Sequence, residues 1–286
     1  MTSPATARRL WSLGEPFHAL TYFAEEARTA ADAAGLTGFW SGYFAMRAAP
    51  LGPVGPAVVT ATFASFAPGF VARWVPAVWD AVSPAGALAA RLAGVDGAVG
   101  RVLPDWADSP EAAEAAALAC RAAGAADVVG RPLAAANTGL PGPGPAHLAL
   151  WQALTTLREH RGDGHLAALL QRELLGLPAL VLAAAAGVTP ADWLQKARGW
   201  SPDDWAAAAG QLTERGLLAD GRLTAEGLAV RTAVEADTDR LALRPWATLG
   251  GTGCDRLAEL LAPVRRAVVT AGEWPVHNPI GAPEPD

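Results

Sequence analysis

Apolar residues recur every three or four positions along nearly the whole chain, and no segment of residues 1–175 alternates apolar with polar at period two. Helical spacing without strand spacing predicts a bundle of helices there and no sheet. Start and stop signals place the elements. Glu15 to Ala34 reads as one helix, with Pro16 in its first turn and Gly35 as its stop. Thr37 caps a second helix through Arg47, ended by Pro50. A third spans about Pro56 to Phe66, a fourth Pro68 to Val82, and Ser83-Pro84 opens a fifth to about Val99. Ser109-Pro110-Glu111 starts an Ala-rich helix to about Ala123, a hydroxyl cap with an acid at the positive end of the dipole. After the Gly/Pro-rich loop 139–145, a helix runs from Ala146 to His160. Gly162-Asp163-Gly164 breaks it, with Asp163 suited to cap a further helix from His165 to about Leu175.

Past Leu177 the pattern sharpens. Thr189-Pro190-Ala191-Asp192-Trp193 and Ser201-Pro202-Asp203-Asp204-Trp205 repeat one device: hydroxyl cap, Pro in the first turn, an acid three after the cap, then Trp. Two helix starts this close, separated by Gly199, make a helix-turn-helix. The second helix ends at Gly216. Leu217 to Ala219, Asp220-Gly221 and Arg222 to Thr224 then form a short hairpin, because Asp-Gly suits the φ > 0 positions of a type I′ turn. Thr224 or Ala225 begins a long helix through about Arg240. The expected fold is all-α: a multi-helix, aromatic-rich N-terminal domain (1–175), a winged helix-turn-helix with one short β-hairpin (176–270) and a Pro-rich tail (271–286).

Leu212-Thr213-Glu214-Arg215-Gly216-Leu217-Leu218, followed by Asp220-Gly221-Arg222-Leu223-Thr224-Ala225-Glu226-Gly227, resembles the recognition-helix end and wing of MarR-type regulators. Glu15-Pro16-Phe17-His18-Ala19-Leu20 and Arg158-Glu159-His160-Arg161-Gly162-Asp163-Gly164-His165 make the chain as a whole similar to an actinobacterial family of full-length helical proteins labelled helix-turn-helix. The first resemblance implies a winged helix and, as one use of it, DNA binding as a homodimer. The second implies architecture and no named activity.

Charge changes that picture. The 22 Lys and Arg face 28 Asp and Glu, a net of −6, and phosphate neutralisation needs a local basic surplus. The second helix of the pair begins Asp203-Asp204-Trp205, continues with four alanines and reaches a basic residue only at Arg215. Side chains for base edges or phosphates are thin there. Lys196, Arg198, Arg215 and Arg222 are the candidate DNA contacts, and DNA is disfavoured as a partner by charge. Two stretches, Ala48 to Ala72 and Pro132 to Leu157, lack any charged residue. Their prolines would leave backbone groups unpaired in lipid, so they are expected as buried segments of a soluble chain with no membrane partner. Arg8 and Arg9 before Leu10-Trp11 imitate a signal peptide faintly, but Glu15, Pro16 and His18 interrupt the apolar run too early. Two widely separated cysteines complete the case for a reduced, cytoplasmic protein.

All seven Phe and both Tyr fall within residues 1–70. Gly38-Phe39-Trp40-Ser41-Gly42-Tyr43-Phe44 places four rings in seven residues, so they point around most of a helix: one side suits a core, another a pocket or a partner surface. On the first helix, Phe17, Leu20, Ala24 and Ala31 share one arc, while Glu15, His18, Tyr22 and Glu25 share the opposite one. That row is either a solvated face or a set of groups for a hydrogen-bonding ligand, with carboxylates raising the His18 pKa toward acid–base use. Residues 38–79 and 132–157 add Trp74, Asn137 and Trp151 as candidate pocket walls, and the octapeptide around residue 160 adds His160 and His165.

Three function classes follow. The leading expectation is an intracellular protein that senses, sequesters or delivers a small apolar or aromatic ligand. The alternatives are the DNA-binding regulator and an enzyme using His18 and Tyr22. Glu15-x-x-His18 also has the spacing of dinuclear metal helices, but such sites need the motif twice, and no second Glu-x-x-His occurs. No metal site is assigned, and the cofactor stays unknown. His277 falls in the tail and is expected to be solvated.

Overall fold

The structure, a computed structural model, describes residues 2–275; His277 and most of the tail lie outside them. The described residues form sixteen α-helices and one two-stranded hairpin, an all-α fold with a short β-hairpin. The first helix, α1 (Pro4–Phe23), starts eleven residues before the expected Glu15, because Ser3-Pro4 supplies the same hydroxyl-then-proline start seen elsewhere. Thr6 Oγ1 accepts from the Ser3 amide at 3.1 Å. Pro16 therefore lies inside the helix, not at its start. The element expected through Ala34 breaks at Ala24, whose ψ of 143° is extended, and α2 (Glu25–Ala33) follows.

Next come α3 (Phe39–Ala48), α4 (Pro56–Phe63), α5 (Pro68–Val71) and α6 (Val78–Ala81). The fourth expected helix is thus two short turns on either side of Pro76, which cannot donate to a continuing ladder. α7 (Pro84–Val102) and α8 (Pro110–Ala123) begin where the sequence places them, with Ser83 accepting from Gly86 N and Ser109 from Ala112 N. α9 (Pro132–Thr138) is followed by α10 (Ala146–Leu170), which runs straight through the anticipated break. The reason is tertiary. A Cβ at Gly164 would lie 2.8 Å from Arg131 Nη1, so the glycine admits a guanidinium that ties the His160 and Leu241 carbonyls together at 2.6 and 3.0 Å. Asp163 starts no helix of its own: its Oδ2 accepts from Ala134 N at 2.9 Å and so caps α9 from outside.

The C-terminal half contains α11 (Leu177–Ala185), α12 (Ala191–Arg198), α13 (Pro202–Glu214), β1 (Leu218–Ala219), β2 (Arg222–Leu223) and α14 (Ala225–Leu241). Ser201 and Asp204 form a reciprocal capping box. The hairpin pairs Leu218 with Leu223 and Ala219 with Arg222, turning on Asp220 (φ 49°) and Gly221 (φ 72°). α15 (Arg244–Ala247) and α16 (Gly250–Thr270) close the chain.

α10 is the axis, packed against α8, α9, α14 and α1. One apolar cluster draws on α1, α7, α8, α10 and α16, including Phe17, Trp151, Leu257 and Val268. A second gathers Phe44, Phe63, Phe66 and Phe70, and a third holds the winged helix from Ala168 to Val234. The turn between α12 and α13 docks on the second cluster: Ala67 N donates to Arg198 O at 2.9 Å, and Trp200 Nε1 to Ser65 O at 2.9 Å. None of the described helices is long and apolar enough to cross a membrane.

Candidate functional site

Where α1, α3, α4 and α10 meet α11, α12 and α14, a cavity of about 770 Å³ opens. Its volume falls in the range of small-molecule sites, roughly 300–1,000 Å³. Its lining includes the rings of Tyr22, Phe23, Phe39, Trp40, Tyr43 and Phe63 and the aliphatic side chains of Leu166, Leu169, Leu180, Leu182 and Val234.

The lining is also charged: six arginines (Arg8, Arg47, Arg158, Arg161, Arg198 and Arg231) against three glutamates (Glu15, Glu159 and Glu235). Glu159, 2% exposed, takes both Arg47 donors at 3.1 Å and Arg158 Nη1 at 2.9 Å. Burial by itself would raise its pKa, but the two guanidiniums win and hold the carboxyl below the usual range. Arg158 Nε reaches Glu15 Oε1 at 3.1 Å, and Trp11 Nε1 donates to Glu15 Oε2 at 2.7 Å. Arg47 also donates to Tyr43 Oη at 2.9 Å and sits 4.2 Å from the Phe63 ring centre. Arg161 lies 4.4 Å from the Trp11 ring centre and bonds Asp239 at 2.7 Å; Arg8 is bonded to Glu235 and Asp239.

The sequence candidates separate along this wall. Glu15, Tyr22, Phe39, Trp40, Tyr43 and His165 line the cavity. His165 Nδ1 lies 2.9 Å from Thr238 Oγ1, whose own proton goes to Val234 O. The helix-one row, however, is neither a solvated face nor continuous. Glu15 and His18 are buried, whereas Glu25 follows the break at Ala24 and faces solvent. His18 sits behind the wall, stacked on Trp151 at 5.9 Å, with Nδ1 3.0 Å from Thr155 Oγ1. Burial, then Arg158, push its pKa well below the ordinary value, the reverse of the rise expected from neighbouring carboxylates. Tyr22 stands over it, its phenol pKa raised by burial.

Phe44 is wholly core, stacked on Phe63 at 6.0 Å, and Trp74 packs against the same cluster. Trp151 is fully buried and donates to His18 O at 3.0 Å. Asn137 lies inside α9, donating to Leu133 O at 2.9 Å. His160 faces Asp127, 2.9 Å away, not the cavity. The arginines that dominate the wall were missed, although Arg47 and Arg158 each border a charge-free stretch in the sequence.

The candidate DNA contacts separate too. Lys196 and Arg222 are exposed. Arg215 spends its guanidinium on the Glu173 and Arg172 carbonyls at 3.0 and 2.9 Å. Arg198 turns inward, 8% exposed, with its guanidinium 4.6 Å from the Phe66 ring centre. The exposed face of α13 carries Asp203, Asp204 and Glu214. Among the described residues, no three His, Cys, Asp or Glu side chains are grouped to hold a metal ion. No curated protein and no solved structure matches the chain. A family model matches almost all of it, residues 7–275, and on that match the chain belongs to a helix-turn-helix family.

Proposed function

We propose that this protein binds a small, largely apolar ligand in the cavity between its aromatic helices (1–175) and its winged-helix half (176–270), for sensing, sequestration or delivery. The observation that carries the reading is the cavity of about 770 Å³, walled from both halves and edged with rings that suit a flat body. His18 lies outside it, so the enzyme built on His18 and Tyr22 does not have its imidazole in the cavity. The test is saturable quenching of the tryptophans by a panel of aromatic metabolites, tetrapyrroles and antibiotics, repeated with Ala183→Trp, which adds bulk to the cavity wall. Quenching in the wild type that the variant loses is the expected result. No quenching by any compound, or quenching indifferent to the variant, overturns the proposal.

A second reading is a transcription regulator whose MarR-like winged helix binds DNA as a dimer. Membership of a helix-turn-helix family favours it, and exposed Lys196 and Arg222 could touch phosphates. Against it stand the acidic outer face of α13 and the inward turn of Arg198. It requires two recognition helices about 34 Å apart. A gel shift at low salt with the upstream region of its own gene decides: retardation that weakens steeply with salt supports the regulator, and none rejects it.

A further inference from the structure

Among the cavity arginines, Arg198 is distinct. Arg47 and Arg158 share Glu159, Arg158 also holds Glu15, and Arg8 and Arg161 share Glu235 and Asp239. Arg198, 8% exposed, makes no salt bridge among the described residues; Arg231 makes none there either, but it is only half-buried. Among the described residues its guanidinium makes one long hydrogen bond, Nη1 to its neighbour's carbonyl, Ala197 O, at 3.4 Å, and its Nε has no partner. Among the described residues, the ionisable groups that act on it are Tyr43, Arg47 and Arg158, none of them a carboxylate. A guanidinium taken out of water without an anion is costly, and it can be retained where an anion arrives from outside.

We infer that the cavity takes an organic oxyanion, a carboxylate, sulfonate or phosphate monoester on an apolar ring-bearing body, whose head group pairs with Arg198 while the body lies against the apolar lining, Trp40 and Tyr43 included. This deepens the ligand-binding reading and rests on it. The surplus of arginine over glutamate in the wall, within a chain of net charge −6, has the sign such a guest requires. Arg198 is the last residue of α12, one before the Gly199 turn into α13, and its carbonyl holds Ala67 N. A bound head group therefore bridges the aromatic half and the helix-turn-helix at the turn itself.

Two dyes with one body separate the claims: 8-anilino-1-naphthalenesulfonate, an anion, and uncharged N-phenyl-1-naphthylamine, titrated against the full chain by fluorescence. The expected result is that the anion binds at least about tenfold more tightly, and that Arg198→Met brings the two Kd values within about threefold by weakening the anion alone. Arg198→Lys keeps a charge and restores part of the preference, while Arg28→Gln, an exposed arginine on α2, leaves it as it was. Arg198→Met also raises the melting temperature of the empty protein, because the unpaired buried charge is gone; a purely structural arginine would lower it. Competition by 2-naphthoate, 2-naphthyl phosphate and 2-naphthalenemethanol ranks the head groups on unaltered protein, whatever the folding of the variants. Equal affinity for charged and uncharged probes overturns the oxyanion and leaves the cavity reading standing. Failure of both dyes to bind, or binding that Ala183→Trp does not abolish, removes the cavity reading and the oxyanion with it.

Discussion

Glu159 and Asp163 sit one turn apart on α10 and show how placement decides the chemistry of a carboxyl group. Glu159 lies between two guanidiniums and stays ionised, whereas Asp163, buried with no cation bonded to it, is pushed up to about 6 by desolvation. Glu159→Gln would leave Arg47 and Arg158 buried beside a neutral group, and a loss of about 3 kcal/mol is expected in urea unfolding at pH 7. For Asp163 the sign is opposite to that of an ordinary paired acid. Between pH 4 and 6 the folded protein holds this proton more tightly than the unfolded chain, so its contribution to stability falls as pH rises. Asp163→Asn removes that slope and can still accept from Ala134 N. Denaturation at pH 4.5 and 7 should show the variant gaining on the wild type by about 1 kcal/mol as pH rises, half of the roughly 2 kcal/mol the full shift would give over that interval, after allowance for partial solvation; no change, or a gain toward acid, contradicts the assignment. Neither role is legible in residues 158–165 alone: Arg158 is among them, but the second cation, Arg47, and the orphan helix start arrive from α3 and α9.

At the scale of elements, starts governed by neighbouring residues are legible and interruptions governed by distant ones are not. Ser83, Ser109, Ser201 and Thr224 accept from their own first turns, and the Asp220-Gly221 turn has the positive φ its residue types favour. Ser201→Ala should cost about 1 kcal/mol. Two glycines with the same φ of 72° separate backbone strain from packing. Gly221→Ala meets open space and should lose about 1 kcal/mol, whereas the Cβ of Gly199→Ala would overlap the Phe70 side chain and should prevent the α12–α13 turn from docking. Thermal melts of the pair test this; equal losses would show that the contact with Phe70 does not matter. The same logic explains why α10 continues through Gly164: Arg131 packs against the glycine there, and hydrophobic spacing carries no record of that.

Across the whole molecule, the last helix returns to the first. Leu257, Leu261, Val264 and Val268 of α16 enter the cluster built on Leu10, Phe17 and Trp151. A chain truncated after Leu241 would expose that cluster, and its urea transition should lose cooperativity; a sharp, wild-type-like transition would show that α16 is dispensable. The all-α class, the helix-turn-helix with its hairpin and the crowding of rings in residues 1–70 were determined by the sequence alone, since each depends on propensity, capping or spacing within a few residues. Which rings became core, as Phe44 and Trp151 did, and which face the cavity, as Trp40 and Tyr43 do, only the tertiary structure decided. The same holds for the direction of Arg198, because a side chain on a helix faces whatever distant segment packs there, and a positive charge buried without its acid is recognisable only once every neighbour is in place.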